Sequence, residues 1–367
     1  MSKVLIIANS SEGLIQFRKE LLIALREQKH DVFVSVPRDE LFEEIEPLGC
    51  TVIETEMSRR GTNPIKDIRL LCKYYTICKK VRPDIVFTYT IKPNIYGGIV
   101  CQWLRLPYIV NITGLGTAIE NKGFLHQLTI EMYRIGIKNA QKVFFQNQSN
   151  LAFMLEKKVV SENYEVLPGS GVNLQYHCFE EYPSEDEGIR FLFVGRIMKD
   201  KGIEEYLYCA KQIHEMHPEC SFDIVGDYDD EFYRPAIEQS ELEGCVKAFG
   251  NQKDVHSFIK SHHILIQPSY HEGLSNVLLE AAACGRPVLA SNIPGCKETF
   301  DEEISGIGFS PRNGDSLVAS VEKILSISSD ERERMGLYGR KKVEREFSRQ
   351  IVIEAYLKEL RFITQRS

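Results

Sequence analysis

Long hydrophobic runs are missing from this chain: no window of its 367 residues approaches the ~20 apolar positions that a membrane-spanning helix needs. The opening Met1-Ser2-Lys3-Val4-Leu5-Ile6-Ile7-Ala8-Asn9 is too short and too polar at its flanks for a signal peptide, so a cytosolic chain is expected. None of the ten cysteines has Cys-x-x-Cys spacing, and some stand in apolar runs such as Ala281-Ala282-Ala283-Cys284. They read as reduced, small core residues rather than bridges or metal ligands. Gly-x-Gly-x-x-Gly is absent both after the first apolar run, at Ala8-Asn9-Ser10-Ser11-Glu12-Gly13, and at Gly195-Arg196. That argues against a dinucleotide oxidoreductase. There is no fixed-period repeat and no low-complexity tract, which excludes solenoid and fibrous architectures.

What is present is an ordinary globular composition, 43% hydrophobic and 26% charged, in a length suited to two domains of similar size. The net charge of −7 is uneven: residues 1–180 carry 22 Lys+Arg against 19 Asp+Glu, and 181–367 carry 23 against 33. This balance is too weak for nucleic acid as a partner. The basic surplus is concentrated in 59–82, which holds eight Lys/Arg and one Asp.

The first half alternates β-branched runs with helical patterns: Val4–Ile7 then 14–28, Val32–Val36 then 39–47, Val52-Ile53 then 65–81. It continues with Ile85–Phe87 then 94–104, Tyr108–Val110 then 124–139, and Val143–Phe145 then 148–158. The second half repeats this around Phe191–Val194, Phe222–Val225, Val246–Phe249, Ile264–Gln267 and Val288–Ala290, with helices at about 202–216, 233–243, 253–261 and 275–284. Such alternation predicts an α/β protein of two facing doubly wound, Rossmann-like domains with a cleft between them. The expected boundaries are 1–168, a hinge at 169–188, a second domain at 189–348, and a helical tail at 349–367 whose apolar face must pack on something.

In open α/β sheets ligands bind beyond the carboxyl ends of the strands. In the second half those positions are Gly195-Arg196, Gly226-Asp227, Gly250-Asn251, Pro268-Ser269 and Ser291-Asn292. Arg196 at a strand end and Lys201 before the next helix are a pair of cations suited to a diphosphate. In Gln267-Pro268-Ser269-Tyr270-His271-Glu272-Gly273-Leu274-Ser275-Asn276-Val277, Ser275 is the expected N-cap of a helix whose first N–H groups face the same place. On that helix Glu280 stands between Leu279 and Ala281, an acid in apolar surroundings that requires a partner. His271, beside Glu272, is a candidate lining residue of the donor site. His214 and His217 read as a surface pair, and His262-His263 as structural.

Glu272 to Glu280 is a Glu-x7-Glu motif. With Gly195-Arg196…Lys201-Gly202, Gly226-Asp227 and Ala283-Cys284-Gly285-Arg286-Pro287-Val288, it resembles the retaining glycosyltransferases of the large family four, of GT-B fold. The resemblance implies that Arg196 and Lys201 hold the diphosphate of a UDP-sugar and Glu280 the ribose hydroxyls. It places Glu272 on the transferred sugar, the backbones of Gly273, Leu274 and Ser275 on the phosphates, and Gly250-Asn251 beside the base. In the first half, Gly13…Phe17-Arg18, Lys92-Pro93-Asn94, Thr113-Gly114-Leu115-Gly116 and Gly171-Val172-Asn173 are similar to bacterial enzymes that extend undecaprenyl-diphosphate-linked sugars in N-glycan, capsule or O-antigen assembly. The double glycine and the histidine usual in the family are replaced by Ser10-Ser11-Glu12-Gly13 and by Thr88-Tyr89-Thr90.

Placed on one helix, Glu272 and Glu280 would stand ~12 Å apart at ~1.5 Å per residue. A double displacement between carboxylates needs ~5–5.5 Å. This argues against a covalent glycosyl-enzyme on this pair; the resemblance implies front-face transfer aided by charge neutralisation, with no metal and no cofactor beyond the donor. A UDP-sugar 2-epimerase or a phosphorylase is the alternative within the fold, the latter without a visible cofactor lysine. A lipid-linked acceptor gives the basic segment a use, as a peripheral contact with an anionic membrane at the inner face of the cell.

Overall fold

A computed structural model describes residues 1–57, 63–114 and 124–364. It comprises two units, Met1–Gly171 with Arg349–Ser367, and Val172–Ser348, so the chain passes between them twice.

The first unit carries a seven-stranded parallel sheet made of β1 (Lys3–Ile7), β2 (Asp31–Val36), β3 (Thr51–Glu54), β4 (Ile85–Tyr89), β5 (Tyr108–Ile112), β6 (Lys142–Phe145) and β7 (Tyr164–Val166). The strand order is β3-β2-β1-β4-β5-β6-β7. Alternate side chains enter opposite cores: Val4 and Ile6 face one, Leu5 and Ile7 the other. A continuous apolar run is therefore needed, because helices cover both faces. These are α1 (Ser11–Glu27), α2 (Pro64–Val81), α3 (Gly98–Leu104), α4 (Phe124–Ile137) and α5 (Gln148–Glu156).

Two local expectations give way here. The helix expected at 39–47 is a pair of 3-10 turns, Phe42–Glu44 and Glu46–Leu48, because Pro47 supplies no N–H and disrupts a longer helix. The one at 94–104 begins as a π-turn, Pro93–Gly97, before α3. A Cβ on Gly98 would lie 2.0 Å from the Gly136 carbonyl oxygen, so only glycine lets α3 and α4 approach this closely.

The second unit has a six-stranded parallel sheet: β8 (Arg190–Val194), β9 (Ser221–Val225), β10 (Lys247–Ala248), β11 (Ile264–Gln267), β12 (Val288–Ser291) and β13 (Gly306–Phe309), in the order β10-β9-β8-β11-β12-β13. Its helices are α6 (Ile203–Met216), α7 (Arg234–Leu242), α8 (Val255–Ser261), α9 (Asn276–Ala283), α10 (Gly314–Ser326) and α11 (Ser329–Glu346). Strand β13 lies outside the alternation read from the sequence, which ends at Val288–Ala290. Glycine is required at 306 by crowding: a Cβ there would stand 2.6 Å from the carbonyl oxygen of Val288 on the paired strand. Residues 172–188 pack on this unit. The Arg332 guanidinium holds Glu185, and the His263 ring bonds to the Ser184 carbonyl.

The last helix, α12 (Arg349–Thr364), completes the first unit. Tyr356 on it is buried against Phe87, Tyr89 and Phe144, and its hydroxyl accepts a hydrogen bond of 2.6 Å from Asn111 Nδ2. Arg349 anchors its start, donating to Glu20 at 2.6 Å and to the Gly171 carbonyl. All ten cysteines are free thiols; Cys72 and Cys178 are exposed and the rest buried. No helix among the described residues is long and apolar enough to cross a membrane.

Candidate active site

In each sheet the strand order reverses at one place, where helices leave to opposite faces and a crevice opens beyond the carboxyl ends. In the second unit this is between β8 and β11. Arg196 follows β8, and Glu272 lies in the loop after β11, so the most charged of the predicted residues belong to the switch point. The two loops are fitted to one another. The Tyr270 N–H donates to the Asp200 carbonyl at 2.8 Å, and Gly202, with φ +73°, has a would-be Cβ 2.0 Å from the Pro268 carbonyl oxygen.

Lys201 Nζ meets Glu272 Oε1 at 2.5 Å, with both side chains mostly out of solvent. The same oxygen accepts from Ser269 Oγ at 2.8 Å and Gln267 Nε2 at 3.3 Å, and Gln267 also donates to Ser269 Oγ at 2.5 Å. Glu272 is thus a preorganised acceptor on the loop, ahead of α9 rather than on it. Arg196 is half exposed and pairs with Asp229 at 3.3 Å. Asp227-Tyr228-Asp229 has Asp-x-Asp spacing, yet Asp227 Oδ1 accepts from the Tyr228 N–H and Asp229 is engaged by Arg196. His271 is exposed.

Ser275 occupies the N-cap position of α9 without capping it through its side chain. Its own N–H donates to the Gly295 carbonyl at 2.8 Å, so of the backbone groups expected to cradle phosphate this one is already used. Gly295, with φ +87°, lets that segment lie against the 272–273 backbone: a Cβ there would meet the Glu272 carbonyl oxygen at 2.5 Å. The Oδ1 of Asn276, the first residue of α9, is buried with no hydrogen-bond partner among the described residues. Glu280, one face along α9, has the buried His177 imidazole 3.8 Å from its Oε1. Gly226, whose φ is +151°, presses on the Gly195 carbonyl oxygen at 1.9 Å from a would-be Cβ, fixing the loop that carries Asp227. Gly250, with φ +66°, faces open space, and Asn251 beside it is exposed.

In the first unit the reversal lies between β1 and β4, whose carboxyl ends lead to Gly13 and Lys92. The start of α1 is filled by the chain itself. Asp39 accepts from Ser10 Oγ and from the N–H groups of Ser11 and Glu12, and Ser10 Oγ accepts from the Gly13 N–H at 3.1 Å. The positive end of that helix already carries a carboxylate. Lys92 Nζ is paired with Asp67 at 2.7 Å. Among the described residues no atom beyond its chain neighbours lies within 4 Å of a would-be Cβ on Gly114, while Leu115 and Gly116 lie outside the described residues.

The sequence placed Gln267 and Ser269 at the end of β11 without giving either a partner, and it did not point to His177, Gly295 or Asp39. None is part of a spaced motif, and only the turn Ile293-Pro294-Gly295 carried a signal.

Residues 178–342 match the family described as Glycosyl transferases group 1, and residues 3–147 match Glycosyl transferase 4-like. The chain is 26% identical, over 96% of each chain, to N,N'-diacetylbacillosaminyl-diphospho-undecaprenol alpha-1,3-N-acetylgalactosaminyltransferase of Campylobacter jejuni. It is 28% identical, over 81% of each, to the capsular polysaccharide biosynthesis glycosyltransferase CapM of Staphylococcus aureus. Among solved structures, Anabaena HepE in complex with UDP and glucose superimposes with a TM-score of 0.82 at 16% identity, over 98% of this chain and 99% of that one.

Proposed function

As the chain belongs to the glycosyl transferases of group 1 and has the GT-B fold, we propose that it is a retaining enzyme that transfers a hexose or N-acetylhexosamine from a UDP-sugar. The acceptor in this reading is an undecaprenyl-diphosphate-linked saccharide, an intermediate of lipid-linked polysaccharide synthesis. The observation that carries it is the Lys201–Glu272 pair at the β8/β11 switch point, with Arg196 following β8 at the same switch point and the start of α9 after the loop. The C. jejuni relative's diphospho-undecaprenol acceptor and the UDP held by HepE support the acceptor and the donor.

The geometry performs such a transfer in the following way. Arg196, Lys201 and the N-terminal turn of α9 neutralise the charge that builds on the departing diphosphate, and donors fixed in place before the reaction supply much of the acceleration in many transfers. Glu280 accepts hydrogen bonds from the ribose. Glu272, fixed by Ser269 and Gln267, accepts from hydroxyls of the transferred sugar and orients its anomeric carbon. The leaving diphosphate takes the acceptor's proton, so no protein base and no resident metal enter the scheme.

The test is UDP release over a panel of UDP-sugars, each with and without lipid-diphosphate-linked acceptors. One UDP-sugar should be turned over only in the presence of acceptor. Turnover of a UDP-sugar to its 2-epimer without acceptor would replace this reading by the epimerase one.

A further inference from the structure

Beside Glu280 lies a cluster that the transfer reaction does not use. One ring nitrogen each of His177 and His256 and the Sγ of Cys284 lie within 4.8 Å of one another. They come from three segments: the chain ahead of β8, helix α8, and the residue that caps the C-terminal end of α9. Cys284 Sγ stands 3.5 Å from His256 Nδ1. For ligand bonds of ~2.3 Å to sulfur and ~2.0 Å to nitrogen, a tetrahedral ion would set that edge at about 3.5 Å. The opposite nitrogen, His256 Nε2, is 3.0 Å from Glu180 Oε1, the carboxylate–imidazole arrangement that orients metal-bound histidines.

The surroundings are built rather than accidental. The buried Arg286 guanidinium donates to the carbonyls of Glu180, Glu181, Ile259 and Lys260, tying the 180–181 segment to the end of α8. Lys260 Nζ holds the other Glu180 oxygen at 2.9 Å. A helix C-terminus, here that of α9, favours a cation. A nucleophilic role is excluded by access, because Cys284 is fully buried, and reactive thiols are partly exposed in electropositive surroundings.

We propose that His177, His256 and Cys284 bind a borderline-soft divalent cation, Zn2+ in the first instance, with Glu280 as the fourth ligand in the nucleotide-free protein. Binding replaces the S–H bond of Cys284 by a sulfur–metal bond and releases the thiol proton to the buffer. Two histidines and one thiolate suit Zn2+ over Mg2+ or Ca2+, which take oxygen. Glu280 Oε1 is already 3.8 Å from His177 Nε2. Resting on the reading of Glu280 as the ribose ligand, the cation and the nucleotide draw on one carboxylate and oppose one another's binding, reciprocally.

The experiment uses the full chain, stripped with chelator and titrated anaerobically with Co2+ alone. One equivalent should produce a thiolate-to-cobalt charge-transfer band that Zn2+ abolishes. Cys284→Ser should lose the band and Cys178→Ser keep it. Glu180→Gln should weaken Co2+ binding by about 10–100-fold. If Cys284→Ser does not fold, as judged by circular dichroism, His256→Gln takes its place. No band in the wild type, or a band lost with Cys178→Ser and kept without Cys284, overturns the site. Separately, saturating Zn2+ should raise the Kd for UDP at least tenfold in the wild type and leave it unchanged in Glu280→Gln. A band without this shift overturns the coupling through Glu280 and leaves the metal site standing.

Discussion

Replacing Glu272 by Gln should tighten UDP binding while slowing transfer, an opposition that follows from the ion pair. Lys201 and Glu272 meet at 2.5 Å with side-chain exposures of 21% and 13%. Exposed pairs are worth ~0.2–1 kcal/mol, and breaking a fully buried one costs ~3–5 kcal/mol. A pair of intermediate burial is worth about 1–2 kcal/mol by interpolation between these limits. A diphosphate competes with Glu272 for the ammonium, so removing the carboxylate charge returns that amount to the ligand, about 5–30-fold in Kd. The amide retains the shape and still accepts from Ser269. Turnover should fall by about 10–100-fold, through loss of a charge-assisted hydrogen bond to sugar worth ~1.5–3 kcal/mol. Calorimetric titration with UDP at fixed salt, alongside steady-state UDP release, reads both quantities. Lys201→Met is the control, and it should weaken UDP binding. Weaker UDP binding in Glu272→Gln would refute the reasoning, because Glu272 would then be supporting the nucleotide rather than competing for Lys201.

Glu280→Gln should weaken UDP by about 10–100-fold, the worth of a charged hydrogen bond to ribose, and titration showing an unchanged Kd would remove Glu280 from the nucleotide site. Burial pushes the His263 imidazole down to about 4, so it stays neutral in the fold while its unfolded counterpart takes a proton near 6.5. Stability should therefore be lost as pH falls from about 6.5 toward 4, by at most about 3 kcal/mol; urea unfolding at several pH values should show a shallower dependence in His263→Gln. Tyr356→Phe removes the acceptor of the buried Asn111 amide and should cost about 1–3 kcal/mol in urea unfolding, against no change if the bond is immaterial. On α2, Lys73, Lys79, Lys80 and the following Arg82 are exposed, as are Ile65 and Ile68, whereas Arg59 and Arg60 lie outside the described residues. At ~1 kcal/mol per basic residue near an anionic surface, flotation should show salt-sensitive binding to anionic vesicles that is lost when all four become Glu; persistence would assign the contact to another surface.

The strands were legible because a parallel sheet covered on both faces favours short, continuous apolar runs rich in β-branched residues, such as Val4–Ile7 and Ile264–Ile266. Strand ends were legible for the same reason, which is why Arg196 and the 268–277 loop could be named. Where one local rule met a tertiary demand, the pattern failed: Gly306 sits inside a strand because it makes room for the Val288 carbonyl, and the helix expected at 39–47 breaks at Pro47. The partners of the site were hidden in a different way. Ser269, Gln267 and Asp39 are common residue types whose roles come from the directions in which the folded loops point them. His177 meets Glu280 only because the segment ahead of β8 lies along α9.

The position of α12 has a consequence for synthesis. Phe87, Tyr89 and Phe144 are made early, yet the aromatic ring that covers them belongs to Tyr356. Between the end of the first stretch at Gly171 and that helix, the ribosome must deliver the whole second unit. At ~5–20 residues per second this takes roughly 10–40 s. For that interval the nascent first unit presents an apolar groove to the crowded space around the ribosome, while the second unit can close on itself as soon as Ser348 emerges. The earlier-made half thereby depends on the last segment for its completion.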